Sequence, residues 1–315
     1  MERRPGMSKP TIGFIGVGYM GHGMAKNLIA SGYPLVVKGN RNRDPVEDLL
    51  TRGAQEAATP REVAERSDIV HLCLSNSAQV EAVIRGEDGI LASGKDGLVV
   101  IDTTTADPTS SDTLAAELEA AQMTLVDAPL GRTPKEAEAG TLDTMVGATP
   151  EMFERLRPVI ACWAGNISHT GGTGSGHRMK LIMNFISMGY AALYSEALAT
   201  GVKSGLTPQT IHRVIGSSRM ANGFYETFMA YAIGRDPEAH KFTIQNGAKD
   251  TRYAASMARD AEVANLLGAA IANSFQLAES AGHGDDYVPM LADIVARQNG
   301  FDLAKAVRAG HREED

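Results

Sequence analysis

A cluster of glycines near the N-terminus has the residue type and spacing of a phosphate-binding turn. Residues 11–28 contain a short apolar run, the pattern G-x-G-x-x-G and then an amphipathic stretch. Glycines in such a turn let the backbone bend tightly and approach a pyrophosphate, whose charge is met by the N-terminus of the following helix. The pattern predicts a dinucleotide site, and the alternative is a glycine-rich turn without a ligand. The residues assigned to this site are Gly16, Gly18, Tyr19, Met20 and Gly21.

The residues after the second apolar run indicate which dinucleotide is favoured. Where an acidic residue would bind the two ribose hydroxyls, this chain has Asn40 and Arg41 within the sequence Lys-Gly-Asn-Arg-Asn-Arg. A carboxylate there would repel a 2′-phosphate, whereas asparagine beside arginine would accept it. The sequence therefore favours NADP, with NAD as the second choice. The alternative is that these arginines are only solvated.

Further candidate cofactor residues follow two more apolar runs that are predicted to be strands. Leu74 and Asn76 come after one of them, and Thr105 comes after the next. Open α/β sheets bind their ligands at the carboxyl ends of their strands, so these residues are predicted to contact the cofactor. The alternative is that they cap the helices that follow, as Thr104 or Thr105 could do.

Lys180 and Asn184 stand four residues apart in a long helical stretch, so both point to one side of it. A lysine in a redox site can give a proton to a carbinol oxygen, or take one from it, while hydride moves at carbon. Judged by spacing alone, a lysine on a helix is more often solvent-facing. The later pair Lys249 and Asp250 has, on pattern alone, the character of an ordinary exposed pair.

The elements that must position these residues change in type along the chain. The first half alternates short apolar β-type runs with amphipathic stretches, and after the glycine-rich residues 171–176 every periodic stretch is helical. We predict an α/β Rossmann-like domain over residues 10–172 and an all-α domain over residues 173–315. The glycine run is the predicted hinge, and a ligand is expected in a cleft between the domains.

Composition narrows the classes of partner. The 315-residue chain has a net charge of −8 and no long basic run, which argues against nucleic-acid binding and requires any bound anion to be held by a local cationic cluster. No apolar run reaches the length of a membrane span, and residues 1–9 lack the apolar core of a signal peptide. The two cysteines have no metal-ligand spacing. We expect a cytoplasmic protein that binds neither membranes nor metals.

Taken together, the motifs resemble those of the β-hydroxyacid dehydrogenase family over residues 9–297. The resemblance rests on the N-terminal glycine motif and on several later segments in the same order. These segments are Asp127-Ala128-Pro129, Gly140-Thr141-Leu142, Met145-Val146-Gly147, Gly174-x-Gly176 leading to Lys180-x-x-x-Asn184, and Lys249-Asp250.

The resemblance implies roles that spacing alone does not give. It implies that Lys180 is the catalytic acid/base, that Asn184 helps to hold the substrate, and that Lys249 lies against the cofactor near the reacting carbon. It also implies a homodimer or homotetramer that assembles through the helical domain.

One departure from the family bears on the substrate. Most of the family has Ser-Gly-Gly after the Asp-Ala-Pro segment, whereas this chain has Gly131, Arg132 and Thr133. An arginine adds a positive charge and a forked donor suited to a tetrahedral anion, which favours a sulfonate over a carboxylate. The alternative is that Arg132 forms an ion pair with Glu136 or Glu138. A second departure, Met183, removes one polar group beside Asn184.

These expectations combine into one reaction. The chain is expected to reduce a short anionic aldehyde with NAD(P)H, with 3-sulfolactaldehyde going to 2,3-dihydroxypropane-1-sulfonate as the first candidate. Gly131, Arg132 and Thr133 would fix the anion while Lys180 protonates the oxygen. The alternatives are a 3-hydroxyisobutyrate or 4-hydroxybutyrate dehydrogenase acting on a carboxylate, and a non-catalytic NADP-binding sensor.

Overall fold

The computed structural model describes the backbone of residues 9–314 and the side chains of residues 9–310. The chain forms two compact units that divide after Lys180. The first contains a sheet with helices, and the second is helical. The α/β and all-α classes predicted from the sequence are confirmed. Residues 1–9 are predicted not to form a signal peptide, and residues 1–8 lie outside the described residues.

The first unit is built on a nine-stranded sheet with the order β3-β2-β1-β4-β5-β6-β8-β7, and β9 pairs with β8. The first six strands in this order are parallel, which is the doubly wound arrangement of nucleotide-binding folds. Strand β8 runs antiparallel to β6 and β7 and parallel to β9. The strands are β1 Ile12–Ile15, β2 Leu35–Lys38, β3 Gln55–Ala57, β4 Ile69–Leu72, β5 Val99–Asp102, β6 Thr124–Asp127, β7 Leu130–Gly131, β8 Leu142–Gly147 and β9 Ala164–Gly171.

Seven helices of the first unit connect these strands, and most of them begin at a capping side chain. Thr59, Asn76, Asp107 and Thr149 each accept a hydrogen bond from a backbone N–H of the helix that follows. The helices are α1 Gly21–Ala30, α2 Asp44–Thr51, α3 Pro60–Glu65, α4 Ser77–Arg85, α5 Pro108–Ala120, α6 Pro134–Ala139 and α7 Pro150–Ile160.

Burial in the first unit follows from the parallel sheet. Strands β1, β4 and β5 are buried at every position, because helices cover both faces. Trp163, the only tryptophan in the chain, is fully buried in this core. The fully buried His71 of β4 stacks on Phe14 and meets the Trp163 ring edge-on.

The described residues of the second unit form helices and one isolated antiparallel β-bridge, between Thr243 and Tyr287. Helix α8, Ser175–Lys203, is 29 residues long and runs past the division after Lys180. The helices after it are α9 Pro208–Gly216, α10 Gly223–Ala232, α11 Ile244–Asp260, α12 Leu266–Ala278, α13 Leu291–Gln298 and α14 Leu303–Glu314. None of the described helices has the length and hydropathy that crossing a membrane requires.

One predicted helix is wrong in its bounds. The apolar pattern predicts a helix over residues 250–267, but α11 begins at Ile244, after the cap Thr243, and ends at Asp260. Glu262 has a left-handed backbone with φ of 56°, which interrupts the helix, and Leu266 begins the next one.

Candidate active site

The carboxyl ends of five parallel strands lie level with one another. Ile15 is paired in register with both Lys38 and Leu72, Leu72 is paired with Asp102, and Asp102 is paired with Asp127. Loops that leave these strand ends therefore start from one edge of the sheet, where open α/β sheets bind ligands. The predicted cofactor residues from the glycine turn to position 105 lie in these loops, except Gly21, which is the first residue of α1.

The glycine turn after β1 has the geometry that a pyrophosphate requires. Gly16 has φ of +100°, and a Cβ atom there would lie 2.2 Å from the carbonyl oxygen of Cys73. A Cβ atom on Gly21 would lie 2.0 Å from the Gly16 carbonyl oxygen. A Cβ atom on Gly18 would meet nothing within 4 Å. Two glycines are thus needed for the tight turn, and the third leaves backbone open where a phosphate approaches.

The helix that follows this turn presents its N-terminus without a competing group. No side chain caps α1 at Met20, and its first turn contains no acidic residue. The Tyr19 side chain is 91% exposed. The first N–H groups of a helix carry a partial positive charge and bind anions. The residues present therefore fit the pyrophosphate of a dinucleotide.

The turn after β2 contains two arginines with different surroundings. Arg43 forms two hydrogen bonds with the Glu56 carboxylate, at 2.6 and 2.9 Å. Arg41 and Asn40 are exposed, and Arg41 makes no ion pair within residues 9–310. Arg43 is therefore committed to Glu56, and Arg41 is the arginine with its guanidinium available to a ligand.

The loops after β4 and β5 support one another. The Leu74 N–H donates to Thr104 Oγ1 at 3.0 Å, and Thr105 is half-buried in the same loop. Asn76 caps α4, as the capping alternative predicts. The capping alternative for Thr104 and Thr105 is wrong, because Asp107 caps α5.

The loop after β7 holds Arg132 in an unusual conformation. Arg132 has φ of 75°, and its Nε donates to Asp143 Oδ2 at 2.9 Å. The hydrogen bond to Asp143 and the negative charge of that carboxylate raise the pKa of Arg132 above its usual value. The predicted alternative partners are wrong: Glu136 accepts from Thr133, and Glu138 pairs with Lys26 and His22 on α1. Asp143 is the partner because Gly131 and Asp143 face each other across β7 and β8.

Thr133 has a structural role at the start of α6. Its hydroxyl and its N–H both donate to Glu136 Oε2, at 2.5 and 3.1 Å, in a capping box. Its hydroxyl proton is therefore directed at Glu136, and the guanidinium of Arg132 is the cationic group that this loop presents.

A buried carboxylate that the sequence interpretation left without a role holds the start of α8. Asp127 Oδ1 accepts from the Gly174 N–H at 2.6 Å, and Asp127 Oδ2 accepts from the His177 N–H at 2.8 Å. His177 Nδ1 lies 2.7 Å from Ser111 Oγ, and both side chains are buried. Lys180 follows one turn later on α8 and is half-buried. The available signal was an aspartate directly after the apolar part of a strand.

The buried residues beneath this helix start are polar and close together. His177 Nε2 lies 3.8 Å from Asp102 Oδ2, and both side chains are almost completely buried. Burial raises the pKa of Asp102, and the neighbouring His177 opposes that rise. Within residues 9–310 no group of three or more His, Cys, Asp or Glu has a metal-binding arrangement.

In the second unit, a buried aspartate joins the two predicted site residues. Asn184 Nδ2 donates to Asp250 Oδ2 at 2.5 Å, and Lys249 Nζ lies 3.2 Å from Asp250 Oδ1. Asp250 is 1% exposed, so the interpretation of residues 249–250 as an ordinary exposed pair is wrong. Lys249 also lies over the Tyr253 ring, 5.6 Å from its centroid. Asn184 and Lys249 are thus held by one carboxylate.

Comparison with known proteins agrees with this geometry. The family profile for the NAD binding domain of 6-phosphogluconate dehydrogenase matches residues 11–171. The profile for the NAD-binding region of NADP-dependent 3-hydroxyisobutyrate dehydrogenase matches residues 174–293.

Three curated relatives align over most of their length and most of this chain. The 2-(hydroxymethyl)glutarate dehydrogenase of Eubacterium barkeri is 31% identical over 93% of this chain and 97% of its own. The 3-sulfolactaldehyde reductase of Escherichia coli (strain K12) is 32% identical over 90% and 95%, respectively. The mitochondrial 3-hydroxyisobutyrate dehydrogenase of Rattus norvegicus is 31% identical over 88% and 84%.

Solved structures have the same fold. The 3-hydroxyisobutyrate dehydrogenase of Salmonella typhimurium is 26% identical, with a TM-score of 0.77 over 90% of this chain and 99% of its own. The Mycobacterium tuberculosis 3-hydroxyisobutyrate dehydrogenase is 24% identical, with a TM-score of 0.81 over 90% and 98%.

This chain belongs to the β-hydroxyacid dehydrogenase family. It is an NAD(P)-dependent oxidoreductase of the class that acts on CH–OH groups. The expected family and enzyme class are confirmed.

Proposed function

We propose that this enzyme reduces a short aldehyde that carries one anionic group, with 3-sulfolactaldehyde as its substrate and 2,3-dihydroxypropane-1-sulfonate as the product. The observation that carries the proposal is the Arg132 guanidinium. It is half exposed and, within residues 9–310, hydrogen-bonded only through Nε. A forked donor with open Nη atoms suits a tetrahedral sulfonate. The similarity to a 3-sulfolactaldehyde reductase supports the same substrate.

The chain's residues divide the chemistry between them. A bound NAD(P)H would supply the hydride for the aldehyde carbon. Lys180 donates a proton to the oxygen on which negative charge develops, and Asn184 orients the reacting end of the substrate. Lys249, whose ammonium group lies 3.2 Å from Asp250 Oδ1, would help to hold the cofactor. The aldehyde is reduced to an alcohol, and NAD(P)H is oxidised.

We also propose NADPH as the preferred cofactor. Residues 39–43 contain no carboxylate that would repel a 2′-phosphate, and Arg41 is exposed without an ion pair among the described side chains. Asn40 beside it supplies an amide donor.

A carboxylate substrate is the second candidate, and one observation favours it. Asp143 neutralises part of the Arg132 charge, and this weakens the attraction by which an arginine would favour a sulfonate over a carboxylate. Under this reading the reaction is that of a 3-hydroxyisobutyrate or 4-hydroxybutyrate dehydrogenase. A non-catalytic NADP-binding sensor is the candidate from another class, and Lys180 and Asn184 argue against it.

We further propose that the enzyme is a cytoplasmic homodimer or homotetramer. Five leucines of the second unit are more than half exposed, and such apolar surface is typical of contact regions. They are Leu193 at 62%, Leu206 at 51%, Leu266 at 86%, Leu267 at 68% and Leu277 at 54%. Light scattering with size-exclusion chromatography tests the subunit number.

Both cysteines are free and half-buried, which suits a reducing compartment.

The substrate proposal is tested by steady-state kinetics with each cofactor. We expect sulfolactaldehyde to exceed succinic, methylmalonate and tartronate semialdehydes in kcat/KM by at least about tenfold, or about 1.4 kcal/mol. Arg132→Gly should reduce the preference for the sulfonate, while Lys135→Gln, which removes a nearby exposed charge on α6, should not. An equal or better rate with a carboxylate would make the second candidate the function.

The catalytic proposal is tested at Lys180. Lys180→Gln should lower kcat by about 10²–10⁴-fold without weakening cofactor binding. Lys203→Gln, at the exposed far end of the same helix, is the control and should keep wild-type kcat. Cofactor binding without reduction of any aldehyde in a broad panel would support the sensor.

A further inference from the structure

The partner of Arg132 in the β7–β8 hairpin is an acid. Gly131 pairs with Asp143 across the two strands, and a Cβ atom built on Gly131 would lie 3.2 Å from Asp143 Cβ. The two positions therefore share one face of the hairpin. The left-handed backbone of Arg132 directs its side chain back to this face, where Nε meets Asp143 Oδ2 at 2.9 Å.

The Asp143 carboxylate has no second hydrogen-bonding task among the described residues. Its Oδ1 atom is buried and makes no hydrogen bond there. Its Oδ2 atom accepts from Arg132 alone within the same residues. The negative charge of Asp143 is consequently directed at the Arg132 guanidinium and at whatever anion binds that guanidinium.

The positive charge of Arg132 is offset by two acidic side chains. Asp143 accepts a hydrogen bond from its Nε, and Glu136 lies close enough to Arg132 to interact with it electrostatically. The whole chain adds a background of −8. A bound anion therefore gains hydrogen bonds from the two Nη groups but meets little excess positive charge.

We propose that Asp143 is a specificity-determining residue that makes the Arg132 loop accept monoanions and reject dianions such as phosphate monoesters. This inference rests on the proposed function, because it assumes that Arg132 binds the substrate anion. Sulfonates and carboxylates carry one negative charge at pH 7, whereas a phosphate monoester carries between −1.5 and −2. The second charge is repelled by Asp143 and gains no further cation.

Three aldehydes with the same three-carbon backbone test this inference with the full enzyme and NADPH. Glyceraldehyde is neutral, 3-sulfolactaldehyde is a monoanion, and glyceraldehyde 3-phosphate is a dianion at pH 7.5. For the wild type we expect kcat/KM to be at least about tenfold higher for the sulfonate than for the phosphate. Asp143→Asn should narrow this ratio by about tenfold, which corresponds to about 1.4 kcal/mol.

Two variants separate a charge effect from a loss of packing. Asp143→Glu keeps the charge and should keep the wild-type ratio, whereas a structural effect would move the ratio in both Asp143 variants. Glu117→Gln removes one negative charge from an ion pair with Arg85 on the outer helices and should leave the ratio unchanged.

The outcomes distinguish the inference from the proposed function. Arg132→Gly should lower kcat/KM for both anions relative to glyceraldehyde. If it does so and Asp143→Asn leaves the ratio unchanged, or Asp143→Glu changes it as much as Asp143→Asn does, the role of Asp143 is refuted and the anion site stands. If Arg132→Gly affects neither anion, the anion site and the inference both fail.

Discussion

Replacing Asp127 with asparagine should loosen the start of helix α8 and slow the proton-transfer step proposed for Lys180. The two carboxylate oxygens of Asp127 accept from the Gly174 and His177 N–H groups at 2.6 and 2.8 Å, with the side chain fully buried. Asparagine keeps one acceptor, but its amide NH₂ faces the second N–H donor. One hydrogen bond to a charged group is lost and a buried donor is left unsatisfied, which should cost about 3 kcal/mol.

Tryptophan fluorescence measures this cost in the unit concerned. Trp163 is the only tryptophan of the chain and lies in the core of the first unit, so urea unfolding followed by its emission reports on that unit. Asp112→Asn is the matched control, because it breaks an exposed ion pair with Arg178 in the first turn of the same helix. The control should change the free energy of unfolding by less than about 1 kcal/mol.

The kinetic consequence is separate from stability. A small displacement of a catalytic group can reduce the rate about a hundredfold, so Asp127→Asn should lower kcat by about 10–100-fold at a temperature where it stays folded. An unfolding free energy within about 1 kcal/mol of the wild type would show that these hydrogen bonds do not anchor the helix. A destabilised variant with wild-type kcat would show that the anchor does not position Lys180.

Three further predictions concern other parts of the structure. Burial lowers the pKa of His71 to about 3, so the stability that neutral His71 contributes is complete above pH 6.5 and is lost as the pH falls toward 3. By pH 4.5 the free energy of unfolding of the first unit, measured by tryptophan fluorescence in urea, should fall by about 3 kcal/mol, and His71→Phe should remove that part of the pH dependence. Arg41→Ala should raise the KM for NADPH by about tenfold and leave that for NADH unchanged, whereas Arg43→Ala should have the smaller effect; equal effects of the two arginines would contradict the cofactor proposal. Asp250→Ala should lower kcat/KM by at least about tenfold because Asn184 loses its fixed partner, and an unchanged kcat/KM would rule out this positioning role.

The sequence predicts those parts of the fold that depend on local pattern. The strands β1, β4 and β5 are mostly apolar, because helices cover them on both faces, and such runs are visible without a structure. Strand β9 is missed because its residues are mostly polar and partly exposed at the sheet edge. The β7 strand is missed because two residues give no periodicity.

The contacts of the site depend on tertiary register and are harder to predict. Glu136 is near Arg132 in the sequence and was the reasonable partner, but the β7–β8 pairing brings Asp143 closer. Asp127 and His177 are fifty residues apart. They meet because the folded sheet places Asp127 at the N-terminus of helix α8, which contains His177. The glycine turn is different, because its chemistry is contained within six consecutive residues.

The left-handed backbone conformation of Arg132 lowers the stability of the folded protein. A β-carbon in that conformation costs about 1 kcal/mol or more relative to glycine. Arg132→Gly would remove this cost, but it would also leave the Asp143 carboxylate without its hydrogen-bond donor, so the two effects on thermal stability oppose each other. A melting curve therefore does not report on the proposed anion-binding role of Arg132, and any effort to stabilise this enzyme at position 132 needs a turnover assay as well.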